Sequence, residues 1–208
     1  MIILSDSDVV RKLAYCELLS EFLQYLRCPP NEVWVLPTLR FQLRKKLAKA
    51  PCALHNFEQF LAKVKNIPKA NIDTLERFQT LDVGEGQLLS VLCDEPRISL
   101  LITGDKKALD KVAALTFGDE QLRTRLQDTK VQCFESILLG LLDKRGFSVL
   151  QARIWNKWST AATLIGDTID PFVLDAFPKS GGCSEDAAKA LKERLATLKI
   201  RLSQISFD

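Results

Sequence analysis

The chain has 208 residues, 47% hydrophobic and 26% charged, a globular composition that argues against both intrinsic disorder and a membrane-embedded protein. A net charge of +3 is too mild to announce nucleic-acid binding by itself, because that inference also needs clustering. One histidine, His55, and six cysteines with no Cys-x-x-Cys pair argue against Ser-His-Asp, Cys-His and zinc-knuckle chemistry, which leaves carboxylates for any catalysis.

The N-terminus MIILSDSD lacks the basic start of a secretory signal, and no apolar run approaches the ~20 residues of a spanning helix. A cytoplasmic protein with buried free thiols and no membrane segment is expected. Ile2-Ile3-Leu4, ending at Ser5 and Asp6, reads as a buried central strand. Beyond Asp8, apolar residues at Val10, Leu13, Ala14, Leu18, Phe22 and Leu26 recur at helical spacing until Cys28-Pro29-Pro30, so one helix is expected there. Val33 to Leu36 reads as a second strand, and Pro37 opens a basic helix carrying Leu39, Leu43 and Leu47. Residues 56–80 read as short amphipathic helices covering the sheet, with Phe57, Phe60, Leu61 and Val64 on one face.

Leu81 to Gly86 places Glu85 between two glycines just before an expected helix from Gln87 to Leu92. Ile98 to Ile102 reads as a strand that ends at Thr103-Gly104-Asp105, with a helix following from Lys106 to Leu115. Lys130 to Cys133 and Phe134 to Lys144 add one more strand and helix. The alternation predicts an α/β fold, a three-layer α/β/α arrangement with a central parallel sheet, over residues 1–147. Residues 148–208 are expected to form a helical C-terminal extension, with Trp155 and Trp158 on a helix and a break at PKSGGCS. Ser184 is a candidate N-cap for the last helix, over 184–205, where Ala188, Leu191, Leu195, Leu198, Leu202 and Ile205 keep heptad spacing. That stripe either packs on its own chain or forms a homodimer or partner seam.

Ligands of open α/β sheets bind beyond the carboxyl ends of the strands, so acids that follow strands are candidate site residues. Asp6 and Asp105 follow strands, and Glu85 sits where a helix N-terminus favours its charge. Converging carboxylates repel one another unless a cation lies among them, and hard oxygens suit Mg²⁺ or Mn²⁺. Taken singly, Asp6, Asp8 and Asp105 could equally be helix caps. Lys106, Lys107 and Lys111, with Arg40, Arg44, Lys45 and Lys46 on the second helix, are candidate phosphate contacts or simply solvated helix faces.

The order Ile2 to Leu26 with Asp6, Gly84-Glu85-Gly86-Gln87-Leu88-Leu89, and Leu101-Ile102-Thr103-Gly104-Asp105 resembles the PIN-domain family, in particular its small prokaryotic toxin–antitoxin branch. The likeness covers roughly residues 1–147 and includes Val131 to Gly146 as the last strand and helix. The resemblance implies a cytoplasmic ribonuclease in which Asp6, Glu85 and Asp105 hold one or two Mg²⁺ or Mn²⁺ ions and RNA phosphodiesters are hydrolysed. Asp8, Gln42, Thr103, Asp110 and Glu135 are supporting candidates, and an antitoxin or another protein partner is implied besides RNA. Gln42-Leu43 stands where the family usually has Glu-Leu, which removes a negative charge and favours a weakened, partner-binding variant as the alternative. Asp6-Ser7-Asp8-Val9, Gly104-Asp105 with Asp110, and Thr38 also resemble haloacid-dehalogenase-like phosphatases, in which Asp6 would be the nucleophile and Asp8 the acid–base.

Overall fold

The structure, a computed structural model, describes residues 2–104, 106–115 and 118–201. The first strand, β1 (Ile2–Ser5), runs through Asp6 into α1 (Ser7–Tyr15), and α2 (Leu19–Leu26) follows. The single helix expected to reach Leu26 is therefore two. The chain turns at Cys16–Leu18, where Glu17 adopts a φ of 55°, in the left-handed region that a side chain disfavours. Its carboxylate meets Arg153 at 3.0 Å and Lys157 at 3.2 Å, so contacts more than a hundred residues away offset a local strain that periodicity cannot register. Leu13 before the break and Phe22 after it are both buried, which is why the apolar spacing reads as continuous.

A 3₁₀ turn at Pro30–Glu32 leads into β2 (Val33–Val35), then α3 (Leu39–Leu47) and α4 (Pro51–Leu61). Leu39, Leu43 and Leu47 are buried, as their spacing requires, and Phe57 and Phe60 are buried on α4. A two-residue strand, β3 (Lys65–Asn66), and the short α5 (Ile72–Glu76) occupy the segment expected to be helical throughout. Next come α6 (Val83–Asp94), β4 (Ile98–Ile102), α7 (Lys106–Leu115), α8 (Glu120–Asp128), β5 (Lys130–Gln132) and α9 (Phe134–Arg145). The C-terminal part comprises α10 (Phe147–Arg153), a π-helical turn at Ile154–Trp158, α11 (Ser159–Ile165), α12 (Pro171–Ala176) and α13 (Ser184–Arg201). Ser184, expected as the N-cap of α13, is instead its first residue; Ala187 N–H reaches back to the Cys183 carbonyl at 3.1 Å.

The strands pair in parallel in the order β3-β2-β1-β4-β5. Ser5 lies beside Val35 on one side and Ile102 on the other, and Ile102 lies beside Gln132, so the carboxyl ends of these strands finish level. The chain moves outward from β1 to β2 and β3, then returns to β4 on the opposite side of β1, which opens a crevice at the end of β1.

The expected three-layer α/β/α architecture is corrected. The chain is mostly helical, and the longest strand among the described residues has five residues. Among the described side chains of the larger apolar cluster, Val33, Val35, Leu100 and Ile102 come from strands, and the rest is chiefly helix against helix. Thus α13 packs on α9 and α12, α10 on α9, and α4 on α1, α2 and α3. Strands of two to five residues bury little surface, whereas the long 3.6-period segments bury most of the described core.

The C-terminal segment shares that core. Trp158 is fully buried, its ring 5.8 Å from Phe134 and 6.3 Å from Tyr15. Leu191, Leu195 and Leu198 are buried, the last two beside Cys133 and Leu139 of the same chain. The described part of the heptad stripe is thus covered within the chain, while Leu202 and Ile205 lie outside the described residues.

Candidate active site

Asp6 leaves the end of β1 with its N–H bonded to the Ile102 carbonyl at 2.9 Å, so the backbone ladder extends one residue past the strand. Asp6 occupies the N-cap position of α1 but makes no side-chain capping bond, which sets aside capping as the explanation for its carboxylate. Ser7 Oγ donates to Oδ1 at 3.2 Å, while Gly104 N–H and Thr103 Oγ approach Oδ2 at 3.4 and 3.5 Å. Burial first, and then the neighbouring Asp8 charge, push the Asp6 carboxyl above its ordinary range; the hydrogen bonds from Gly104 and Ser7 oppose this only partly. No cation pairs with Asp6 among the described residues.

Gly104 sits at a close approach to the Asp8 side chain. A Cβ built there would press on the Asp8 carboxylate and displace it from its place beside Arg11 and Lys12, so glycine lets the loop after β4 lie against the first turn of α1 without moving that side chain. Glu85, expected just ahead of a helix, lies within the first turn of α6. Asp82 caps that helix by accepting the Glu85 N–H at 2.9 Å, and the helix end favours negative charge there.

These residues border a cleft of about 970 Å³. Its walls include Asp6 and Asp8 from the end of β1 and α1, Thr38 and Gln42 beside α3, Asp82 and Glu85 at the start of α6, and Lys107 on α7. Asp6 and Glu85 also line a small adjoining cavity of about 30 Å³ with Thr103, which brings the two acids to one spot. Asp105, the third expected ligand, lies outside the described residues, as does the side chain of Lys106. Among the described residues no group of three or more histidines, cysteines or acids is close enough to share a metal ion. Asp6 and Glu85 are the pair that the described structure brings together.

Comparison with protein-family models, curated proteins and solved structures finds no match. Among the described residues no helix is long and apolar enough to cross a membrane.

The remaining sequence candidates divide by position. Asp8 borders the cleft, with Arg11 at 2.5 Å and Lys12 at 2.5 Å matching its charge. Gln42 reaches the cleft from α3, at the place where a carboxylate was expected. Asp110 and Glu135 do not border it; Glu135 is 1% exposed and meets Arg194 of α13 at 3.6 Å. Arg44 is engaged by Glu58 of α4 through two hydrogen bonds, one of them 2.7 Å, and Lys46 faces Asp167 at 3.5 Å. Arg40, Lys45 and Lys111 are exposed outside the cleft, and Lys107 lies within it.

Sequence reasoning missed Asp82, Lys12, Asp167 and Asp170. Lys12 joins Asp8 to Asp170 at 2.8 Å, Arg11 reaches Asp167 at 3.5 Å, and Tyr15 OH donates to Asp167 at 3.0 Å. The segment Gly166-Asp167-Thr168-Ile169-Asp170-Pro171 is thereby drawn to the cleft, and Asp170 becomes part of its wall. Two acids between a glycine and a proline mark a loop, but nothing local tells which cations they meet.

Proposed function

We propose that the chain is a Mg²⁺- or Mn²⁺-dependent ribonuclease that hydrolyses RNA phosphodiesters in this cleft. The observation that carries the reading is the joint presence of Asp6 and Glu85 in the cleft at the carboxyl end of β1. Asp6 is a partly buried carboxylate beside a second acid, without a cation partner among the described residues, and such a group gains from a bound cation. Mg²⁺ is commonly held by one or two carboxylates together with water and substrate phosphate, so this donor set fits it. A bound divalent ion would offset the gathered negative charge and stabilise the charge that builds on the phosphodiester in the transition state.

The chain's own residues perform the positioning. Ser7, Thr103 and Gly104 orient the two Asp6 oxygens, and Asp82 holds the first turn that carries Glu85. Lys107 contributes a cation to the same cleft for a phosphate oxygen. The order of motifs around Asp6, Glu85 and Thr103 supports RNA as the substrate. The ion pairs of Asp8 with Arg11 and Lys12 favour a structural part for Asp8 over the proton transfer a phosphatase would need.

Incubation of a labelled RNA with the protein and Mn²⁺ tests the reading. Cleavage is expected to stop in chelator and to fall by about two orders of magnitude or more in Asp6→Asn and in Glu85→Gln. Cleavage at the wild-type rate in both variants would remove these acids from the site.

A further inference from the structure

The face of α3 beside the cleft has a composition that the metal site does not use. Between Glu32 and Glu58 the sequence holds no acid, yet it carries Arg40, Arg44, Lys45, Lys46 and Lys49. Arg44 is taken up by Glu58 and Lys46 by Asp167, whereas Lys45 has no ion-pair partner among the described residues. One turn before Lys45 stands Phe41, 73% exposed and the one aromatic among the large apolar side chains exposed in the described residues. Residues four apart are neighbours on a helix, so Phe41 and Lys45 form one exposed stripe. Thr38 and Gln42 form the adjacent stripe, and both border the cleft. Leu39, Leu43 and Leu47 hold the remaining side of α3 in the core, so the helix cannot roll to hide the phenyl ring.

We propose that Phe41 is a stacking platform for an unpaired RNA base, with Lys45 beside it for the adjoining phosphate, so that a single strand leaves the cleft across α3. The proposal rests on the ribonuclease reading for the direction of the strand, and it narrows the substrate to single-stranded RNA. An exposed aromatic ring beside an unpaired cation matches the two chemical parts of a single strand, the π-face of a base and the charged backbone. A duplex hides its base faces and offers the ring nothing.

The test is binding of a short fluorescein-labelled oligoadenylate to the full chain in chelator, where no cleavage occurs. Phe41→Ala is expected to weaken binding by about tenfold, in line with the loss of one base–aromatic stack. Phe41→Trp is expected to keep the affinity, and fluorescence it adds over the wild type is quenched by the oligonucleotide. Lys45→Ala weakens binding and flattens its salt dependence. A duplex of the same length should compete poorly. Equal binding by Phe41→Ala and wild type, equal competition by duplex, or a wild type that ignores RNA and is covered there by a protein would each overturn the proposal. Asp6→Asn separates the two readings. If it and the wild type bind through Phe41 but the wild type cleaves nothing, the ribonuclease reading falls and the platform stands; if the wild type cleaves and Phe41 is irrelevant, the reverse holds.

Discussion

Asp6 holds a carboxyl that burial and the Asp8 charge push above its ordinary value of 3.8, and this has a direction in stability as well as in chemistry. When the folded pKa exceeds the unfolded one, the folded state binds the proton more tightly. The contribution is then fully present below the unfolded value and is lost as pH rises through the folded value. At neutral pH the ionised group therefore opposes folding, and Asp6→Asn is expected to raise the urea midpoint at pH 7. The gain should shrink as pH approaches the ordinary aspartate range, and Mn²⁺ should raise the midpoint of the wild type more than that of the variant. A midpoint that falls at pH 7 would mean that the Asp6 hydrogen bonds outweigh its desolvation. At this same scale the candidate acids were legible because Asp6 and Glu85 sit next to strand-like and helix-like patterns. Lys12 and Asp170 were not legible, because they meet only through an ion pair spanning most of the chain.

The helices show where local pattern suffices and where it stops. The leucines of α3 repeat every four residues and are buried as that period demands. The α1–α2 elbow defeats the same reading, because a break that keeps its apolar residues in the core leaves the periodicity nearly intact. Helix α2 ends on Arg27, exposed and at a φ of 52°, in the left-handed cap position that glycine fills without strain. Arg27→Gly is thus expected to stabilise the fold by roughly 0.5–1 kcal/mol, measured as a higher midpoint in urea with an unchanged slope. β2 and β4 are legible because short apolar runs with clear ends are locally encoded, whereas β5 carries a single apolar residue, Val131, between Lys130 and Gln132. The two-residue β3 was missed, since Lys65 and Asn66 carry no apolar signal and become a strand only by pairing with β2.

At the scale of the whole molecule, the C-terminal segment completes the core of the part that precedes it. Leu150, Ile154, Trp158, Val173, Phe177 and Leu191 join one cluster with Val10, Phe22 and Phe134. A chain ended at residue 147 would expose the apolar faces of α1 and α9 and lose the ion pairs that Arg153, Lys157, Asp167 and Asp170 make with the first helices. It is expected to lack a cooperative melt by circular dichroism and to be digested rapidly by protease; a sharp melt at the wild-type temperature would contradict the shared core.

The sequence by itself determined the order of most strands and helices, the buried faces of the long ones and the placing of Asp6 and Glu85 at element ends, because these depend on periodicity and on local end signals. Only the tertiary structure decided that helices bury one another more than they bury a sheet. It alone paired Glu17 with Arg153 and Lys157, and it brought Asp170 into the wall of the cleft. Those outcomes depend on contacts between residues far apart in the chain, whose energies no local window contains. Of the three acids of the strand-end reading, Asp6 and Glu85 line one cleft together with Gln42, which stands where a further carboxylate was expected, and Asp105 lies outside the described residues.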